Sequence, residues 1–362
     1  MSNAKKGILL VNLGTPDSPS VPDVHRYLTE FLMDGRVIDI PAWRRTLLVK
    51  GIIVPFRARN SAKLYREIWD SKTGSPLLHY SLLQQRLLQE RLGDAFHVEL
   101  AMRYQNPSIA SALANLKRMN VDSIRVIPLF PQYASATTGS VIERVMELMQ
   151  SWQTFPEVSF VNQFYDNALM LDIFAENARK QQPDTYDHFL FSYHGLPVRQ
   201  LLDVDGTGTH NCDNAGCRER LDDHNKFCYV AQCYATSRGI AGRLGIATAD
   251  YTVCFQSRLG KTPWIQPYTS DVLKEVAARS KKRLLVFSPA FVADCLETIY
   301  EIGTEYATDF KALGGEHVQL VASLNDHPLW ITALEQLAIG DAPDSPSRRN
   351  PASREPKVAE EE

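Results

Sequence analysis

A histidine ends an apolar stretch of this sequence, and residues that interrupt regular backbone follow it at once. His194 closes the run FLFSYH, and Gly195 and Pro197 come directly after it. A lone histidine at a strand end is more often a hydrogen-bonded core residue than a catalyst, but the tight turn favours the ligand side of a sheet. A neutral imidazole there can accept a proton near neutral pH or bind a metal such as Fe²⁺.

Four carboxylates further along the chain repeat at the spacing of one helix face. The row is spaced by three, four and four residues on a segment predicted to be a helix over 291–313, and it consists of Asp294, Glu297, Glu301 and Glu305. No Lys or Arg lies within the row, and the residues between are largely apolar. A solvated face is the ordinary explanation. A buried row would instead bind a cation or relay protons, with pKa values raised by mutual repulsion.

Cysteines form a second group of candidate ligands. Four of the six lie in one short insert: Cys212, Cys217, Cys228 and Cys233. Their spacing differs from the two-residue spacing of zinc ribbons. The insert therefore holds either ordinary reduced thiols or a metal site, with a [2Fe-2S] cluster or zinc as the candidates. The remaining pair, Cys254 and Cys295, is predicted to be buried core thiols.

Apolar runs alternate with helical patterns along the chain, which predicts parallel sheets flanked by helices in an α/β fold. The predicted strands are Ile8–Leu13, His97–Arg103, Ile124–Phe130, Val158–Gln163, His188–Tyr193, Tyr251–Gln256, Arg283–Phe287 and Val318–Ser323. Eight strands without a sequence repeat suit two α/β domains of similar size. We place these domains at 1–165 and 166–327, with a Cys-rich insert at 205–233 in the second.

Two segments depart from the alternation of strands and helices. Residues 341–362 are rich in proline and charge and are predicted to be a disordered tail. A helix at 328–337 is expected to pack back on the first domain. Residues 36–63 mix apolar and basic side chains, which most often means a core helix with a basic solvent face. The alternative is a partly exposed apolar lip beside a site for a large flat ligand, or against a membrane surface.

Composition excludes some classes of function. The net charge of −3 gives no sign of a nucleic-acid partner. No apolar run approaches the length that spans a bilayer, and no segment near the N-terminus resembles a signal peptide. We therefore expect a cytoplasmic protein, with membrane association only through the lip at 36–63.

Six sequence blocks, in order, resemble the ferrochelatase family. They cover about residues 5–335 and read GILLVNLGTPDSP, PLFPQYASATTGS, SYHGLP, CYATSR, FQSRLGKTPWIQPYT and SPAFVADCLETIYEI. The resemblance implies two Rossmann-like, chelatase-type domains with an active-site cleft between them. It also implies a lyase that inserts Fe²⁺ into protoporphyrin IX with loss of two protons, which forms protohaem in the last step of haem biosynthesis.

The resemblance assigns roles to individual residues. His194 matches the active-site histidine and Glu297 its partner carboxylate across the porphyrin, so that this pair would be catalytic and would hold the Fe²⁺ substrate. Asp294, Glu301 and Glu305 would form a path for protons or metal. The residues that would contact the porphyrin are Leu13, Arg103, Tyr104, Ser135 and Trp264. The segment at 36–63 would be the lip of the cleft.

The resemblance leaves the cofactor and the exact substrate open. The chemistry needs no resident cofactor, but several ferrochelatases carry a [2Fe-2S] cluster on four cysteines. The animal pattern, with three of them near the C-terminus, is absent here, whereas some microbial members use internal cysteines. The alternative functions are a porphyrin or haem carrier without catalysis, and a chelatase for another metal or for coproporphyrin III. The intact pair of His194 and Glu297 argues against a carrier.

Overall fold

Eight strands in the described part of the chain build two separate parallel sheets, which confirms the predicted α/β fold class. The structure is a computed structural model, and it describes residues 5–202, 204, 218–258, 260 and 262–340. The strands are β1 Lys6–Gly14, β2 Phe96–Tyr104, β3 Ser123–Pro128, β4 Glu157–Phe160, β5 His188–His194, β6 Tyr251–Gln256, β7 Arg283–Phe287 and β8 His317–Leu320. Each coincides with a predicted strand apart from shifts at its ends.

The two sheets share one connection pattern. The first has the order β2-β1-β3-β4 and the second the order β6-β5-β7-β8, with parallel pairing throughout. The first strand of each half therefore lies inside its sheet, where β1 and β5 are buried along almost their whole length. Such burial is expected because helices cover both faces of a parallel sheet. The carboxyl ends of these two strands are Gly14 and His194.

Helices connect the strands and cover the sheets. The α-helices are α1 Val21–Met33, α2 Ala42–Leu48, α3 Val54–Ile68, α4 Pro76–Leu92, α5 Ile109–Arg118, α6 Ser140–Met149, α7 Ala168–Arg179, α8 Val198–Leu202, α9 Tyr229–Leu244, α10 Thr269–Ala278, α11 Ala307–Ala312 and α12 Pro328–Ile339. Three segments have wider, π-helical turns: Val49–Ile53, Ser135–Gly139 and Leu296–Tyr306. Over the described residues, no helix has both the length and the apolarity needed to cross a bilayer.

The helix predicted over 291–313 is wrong in its first turn. The helical segment begins only at Leu296, because Cys295 is extended, with φ −149°, and caps the helix. The backbone amide of Cys295 donates to Oγ1 of Thr298 at 3.0 Å. The turns are π-helical as far as Tyr306 and become α-helical in α11. Asp294 therefore precedes the helix and does not stand on its face.

One hydrophobic core extends through both halves. It joins Leu10 and Met102 of the first sheet to Phe191 of the second and to Trp330 of α12. Helix α12 contacts α4 and β3 as well as α7, and an ion pair between Arg91 and Glu335 links α4 to α12. The domain limits stay a prediction. The predicted tail at 341–362 and residues 205–217 of the Cys-rich insert lie outside the described residues.

Gly14 ends β1 in a conformation that other residues avoid. Its φ is +122°, and a Cβ added there would lie 2.1 Å from the carbonyl oxygen of Tyr104, its partner in the sheet. A side chain would therefore both strain the backbone and push β1 away from β2. The close approach of the two strands lets the chain turn sharply into the polar residues after β1.

We predict that Gly14→Ala lowers the free energy of unfolding by at least about 1–3 kcal/mol, because the strain and the clash cannot both be relieved. Equilibrium unfolding in urea measures the change. Gly242→Ala is the matched control, since a Cβ at Gly242 inside α9 meets nothing within 4 Å. The control should be neutral or stabilising by about 0.5–1 kcal/mol. Equal stability of the two variants would contradict the prediction.

Candidate functional site

A cavity of about 160 Å³ lies where the carboxyl ends of both sheets meet. We call it the cleft cavity. One side is lined by residues at the end of β1 and after β3, among them Leu13 and Gln132. The other side is lined by residues that follow β5, β6 and β7, among them His194, Trp264 and Ala293. Proteins with parallel sheets bind ligands at the edge where the strands have their carboxyl ends. The position of the cavity therefore agrees with the prediction that His194 lies on the ligand side of its sheet.

His194 is held in one orientation by the turn that follows it. Its Nδ1 lies 2.7 Å from the carbonyl oxygen of Gly195. Because a carbonyl can only accept, Nδ1 carries the hydrogen, and in the neutral ring Nε2 keeps the lone pair. The hydroxyl of Tyr229 donates to the His194 carbonyl at 2.9 Å, which fixes the main chain as well. The structure therefore presents Nε2 as the proton acceptor.

Only glycine fits directly after His194. The amide of Gly195 donates to the carbonyl oxygen of Gln256 at 2.8 Å. A Cβ added at Gly195 would lie 2.8 Å from that same oxygen and 3.3 Å from the ring of Trp264. The absence of a side chain therefore lets the histidine turn pack directly on the end of β6 and on the indole.

Glu297 lines the same cavity as His194 and is half-buried. It stands in the first turn of the π-helix Leu296–Tyr306. Two tyrosines, Tyr27 and Tyr65, line the cavity with it and are themselves buried. Burial is the main cause that raises the pKa of both phenols, and the negative charge of Glu297 raises it further. These tyrosines therefore remain protonated beside the carboxylate.

Gln256 joins the two candidate catalytic elements and was not singled out from the sequence. Its Oε1 accepts from Ser192 at 2.6 Å, while its Nε2 donates to the Glu297 carbonyl at 3.1 Å and to Glu301 Oε2 at 3.0 Å. The oxygen of this buried side-chain amide is thus bonded to β5, and its nitrogen is bonded to the π-helix. Gln256 is the last residue of β6. The rule that ligands bind at the carboxyl ends of parallel strands could therefore have pointed to it from the sequence.

Three glutamates lead from the cavity to the surface along the π-helix. Glu301 is half-buried and accepts from Gln256, from Ser257 and, at 3.0 Å, from Tyr306. Glu305 is exposed, and partial burial of its carboxyl, with the charges of Glu301 and Asp309, raises its pKa. The wider π turn keeps residues four apart on one face. The predicted row therefore exists for Glu297, Glu301 and Glu305.

Asp294 is the exception in this row. Its carboxylate accepts from Asn325 Nδ2 at 2.7 Å, from Thr298 Oγ1 at 3.1 Å and from the Ser323 amide at 3.3 Å. It does not line the cleft cavity. The chain is not yet helical at Asp294, so this residue does not stand on the helix face with the other three, and its place in an acidic path stays a prediction. Asp294 instead fastens the start of the π-helix to the loop after β8.

Two of the residues expected to contact the porphyrin, Arg103 and Tyr104, make hydrogen bonds within the fold, and their contact with the ring stays a prediction. Arg103 Nη2 lies 2.6 Å from Oδ2 of Asp34, which also accepts from the hydroxyl of Tyr104 at 2.8 Å and that of Ser140 at 2.6 Å. The ring of Tyr104 is fully buried, and neither Arg103 nor Tyr104 lines the cleft cavity. Burial alone would raise the pKa of Asp34, but hydrogen bonds from Ser140 and the Arg36 amide, with the Arg103 charge, lower it below its ordinary value.

The remaining expected contacts divide between two cavities. Leu13 and Trp264 line the cleft cavity. Ser135 lines a neighbouring cavity of about 500 Å³, which we call the side cavity. There its hydroxyl accepts from Nη1 of Arg36 at 2.8 Å, and Arg36 also pairs with Glu143 at 2.6 Å. Gln200 lines both cavities, so its side chain forms part of the wall between them.

The cysteine prediction falls partly outside the described residues, since Cys212 and Cys217 are not among them. Cys228 and Cys233 are buried at the start of α9, and burial raises the pKa of the Cys233 thiol well above its ordinary value. Metal binding requires a thiolate, which this burial disfavours. Among the described residues, no three His, Cys, Asp or Glu side chains lie close enough together to hold a metal ion. The cluster stays a prediction.

The two other cysteines are buried as expected, but one of them also touches the site. Cys254 lies within the second sheet, where burial raises the pKa of its thiol to about 12. Cys295 is buried yet lines the cleft cavity beside Glu297. Its thiol therefore belongs to the wall of the site as well as to the core.

The sequence comparisons with known proteins agree with one another. A family model described as ferrochelatase matches residues 5–341. The ferrochelatase of Coxiella burnetii is 44% identical over 93% of this chain and 94% of its own length. That of Legionella pneumophila is 43% identical over 92% of this chain and 98% of its own length. Among solved structures, SirB from Bacillus subtilis gives a TM-score of 0.48 at 10% identity, covering 93% of this chain and 97% of that chain.

We predict that Asp34→Asn lowers the free energy of unfolding by about 3–5 kcal/mol at neutral pH, because it leaves Arg103 buried without its charge partner. Since the folded-state pKa of Asp34 is lowered, its contribution is present above its ordinary value of 3.8 and is lost as the pH falls below it. The stability difference between wild type and variant should therefore shrink in acid.

Urea unfolding at a series of pH values measures this difference. Asp172→Asn is the control, because it removes the surface ion pair of Asp172 with Arg243 and should cost less than about 1 kcal/mol. A difference for Asp34→Asn that stays constant from pH 7 to pH 3 would show that the carboxylate charge is not what stabilises the fold.

Proposed function

Because this chain belongs to the ferrochelatase family and therefore inserts iron into a porphyrin, we propose that protoporphyrin IX enters between the two sheets and leaves as protohaem. In this proposal the enzyme is a lyase that completes haem biosynthesis. The observation that carries the assignment of the site is that His194, with its Nδ1 hydrogen fixed, lines one cavity together with Glu297.

The reaction breaks two pyrrole N–H bonds and forms bonds from the ring nitrogens to Fe²⁺, with the release of two protons. Nε2 of His194 is the group that receives a proton from the ring, because its lone pair is free while Nδ1 is engaged. Once protonated, the imidazole stays in the same orientation, since the Gly195 carbonyl continues to accept from Nδ1. The turn therefore needs no rearrangement between the two protonation states.

Glu297 is the second group of the site that can exchange charge with the ring. It can accept the second proton or meet the incoming Fe²⁺, and Glu301 and Glu305 continue the negative charge to the surface. The porphyrin itself offers four nitrogen donors, so the protein needs to supply few ligands of its own.

Recognition of the ring combines apolar walls with one cation. Leu13, Phe31 and Trp264 give the cleft cavity an apolar lining against which a flat macrocycle can pack. Arg103 pairs with the buried Asp34, whereas Arg36 lines the side cavity and pairs with the exposed Glu143, so Arg36 is the proposed partner of a propionate. A site that bends the ring exposes the nitrogen lone pairs to the metal, and binding energy from the rest of the macrocycle offsets the cost of the distortion.

The lip at 36–63 is proposed to contact a membrane from the cytoplasmic side. Four large apolar side chains stand exposed along α2, the π-turn and α3, with fractional exposures of 62% for Trp43, 65% for Leu47, 56% for Ile52 and 76% for Phe56. Basic residues are interleaved with them in the sequence. Exposed apolar residues with basic neighbours suit the surface of an anionic bilayer.

We expect His194→Asn to lower the rate of iron insertion about 10²–10⁴-fold, because asparagine can still donate to the Gly195 carbonyl but cannot take up a proton. Porphyrin affinity, measured by quenching of protein fluorescence, should change little. His97→Ala on β2, far along the strand from the site, is the control and should keep full activity.

Stopped-flow metallation with Fe²⁺ under anaerobic conditions measures the rate. Wild-type protein that leaves the uncatalysed rate unchanged would favour the carrier, and a higher specificity constant for coproporphyrin III would change the assigned substrate. A His194→Asn variant of nearly wild-type rate would overturn the role of the imidazole.

If the lip contacts a membrane, replacing its exposed aromatic residues should weaken membrane binding. Replacing Trp43 and Phe56 with serine should weaken co-sedimentation with vesicles of anionic phospholipid by at least about tenfold, because each ring buries apolar surface worth about 1.5–3 kcal/mol. Phe155→Ser is the matched control, since Phe155 is also 62% exposed but lies away from the lip. Equal losses for both changes, or no binding by wild type, would contradict the proposed contact.

A further inference from the structure

Ser257 has a backbone conformation that residues other than glycine rarely adopt. It follows β6 directly, and its φ is +64°, in the left-handed region. For a residue with a Cβ this region is strained, whereas glycine enters it freely. Strained residues of this kind concentrate at functional sites, where the surrounding structure holds them in place. The serine is therefore expected to supply something that glycine cannot.

The hydroxyl is what distinguishes this serine from glycine. Oγ of Ser257 donates to Oε2 of Glu301 at 2.5 Å, and Nε2 of Gln256 donates to the same oxygen at 3.0 Å. The left-handed turn thus directs the hydroxyl from the end of β6 back to the π-helix Leu296–Tyr306. Two consecutive residues, one with its side-chain amide and one with its hydroxyl, hold one oxygen of one carboxylate.

The other oxygen of Glu301 accepts fewer hydrogen bonds. Oε1 accepts from the hydroxyl of Tyr306 at 3.0 Å. A carboxylate oxygen has two lone pairs, so donors among the described residues use both lone pairs of Oε2 and one of Oε1. A ligand of Glu301 can therefore bind at Oε1 without displacing Ser257 or Gln256.

The position of Glu301 in the acidic row indicates which ligand this is. Glu297 lines the cleft cavity, Glu301 is half-buried, and Glu305 is exposed. After partial burial, the charge of Glu301 is the next cause that raises the pKa of Glu305, so the negative field of the row extends to the surface. Such a field attracts a divalent cation, and carboxylate oxygens can bind it. Fe²⁺, the metal substrate, is such a cation.

We propose that Ser257 is a positioning residue for iron: its hydroxyl holds Oε2 of Glu301, so that Oε1 is presented to Fe²⁺ on its way to the cleft cavity. The inference rests on the proposed function, since it assumes that Fe²⁺ uses the acidic row. It explains the strain, because glycine at position 257 would relieve the backbone but release the carboxylate. Ser257 does not line the cleft cavity itself, so it acts through Glu301.

Steady-state kinetics with Fe²⁺ under anaerobic conditions test this role. Ser257→Gly should raise KM for Fe²⁺ about 5–30-fold, because a hydrogen bond to a charged group is lost. KM for protoporphyrin IX and kcat at saturating Fe²⁺ should stay unchanged. Ser257→Ala should raise KM for Fe²⁺ equally, although alanine keeps the strain. Ser257→Thr keeps the hydroxyl and should keep KM for Fe²⁺ near the wild-type value.

The stability of these variants should follow the backbone and not the hydroxyl. The urea midpoint of Ser257→Gly should exceed that of Ser257→Ala, since glycine adopts φ +64° without strain. Ser257→Thr should have a lower midpoint than wild type, because β-branched residues are outliers at positive φ. A KM for Fe²⁺ that rises as the midpoint falls would assign a purely structural role to Ser257.

Ser280→Gly is the matched control. Ser280 is the second residue after α10, has φ +59°, is exposed and lines neither cavity. Glycine there should raise the urea midpoint and leave KM for Fe²⁺ unchanged. A double-mutant cycle tests the connection to the carboxylate. Glu301→Gln should raise KM for Fe²⁺, and Ser257→Gly added to it should have no further effect.

An unchanged KM for Fe²⁺ in Ser257→Gly would overturn the role of Ser257, and a shifted pH profile of kcat in that variant would show that Glu301 carries protons instead. A further increase in KM when Ser257→Gly is combined with Glu301→Gln would show that the serine does not act through Glu301. Failure of the proposed function has a different signature, since wild-type protein would then not accelerate metallation at any concentration of Fe²⁺.

Discussion

The candidate site depends on the buried amide of Gln256. Its backbone carbonyl accepts from Gly195, its Oε1 accepts from Ser192 on β5, and its Nε2 donates to Glu297 and Glu301 on the π-helix. An unpaired donor or acceptor on a buried amide is costly, so Gln256 favours the arrangement of the strand end and the helix in which both are satisfied. The relation between His194 and the glutamates is thus set by a residue that belongs to neither element.

The same rule explains why charged residues near the cleft are not all available to a ligand. The carboxylate of Asp34 is almost enclosed, and it collects Arg103, Tyr104 and Ser140 around itself. Isolated burial of the arginine would be costly, so the fold pairs it internally. Arg36 shows the opposite case, because its guanidinium reaches the wall of the side cavity and its partner Glu143 is largely solvent-exposed. Arg103 and Arg36 differ in their availability to a ligand because Arg103 lies beside a buried carboxylate and Arg36 does not.

The π-helix after β7 gives the acidic row its geometry. Cys295 delays the start of the helix, so Asp294 is captured by Asn325, and Glu297 becomes the first carboxylate on the helix. The wider turn then directs Glu301 toward Gln256 and Ser257, where it accepts hydrogen bonds. Like charges four residues apart are tolerated because Glu301 is stabilised by three hydrogen-bond donors and Glu305 is exposed to solvent. The row is therefore a consequence of local capping as well as of spacing.

The sequence by itself determined the α/β class, the eight strands, the strand-end position of His194 and the family, because these depend on local apolar patterning and on ordered motifs. Tertiary structure alone decided that the two sheets repeat one topology, that Asp294, Arg103 and Tyr104 are used within the fold, and that Gln256 and Gln200 lie at the site. The reason is physical: a side chain's partners are chosen among groups distant in sequence, and hydrogen-bond satisfaction in the interior has no periodic signature along the chain.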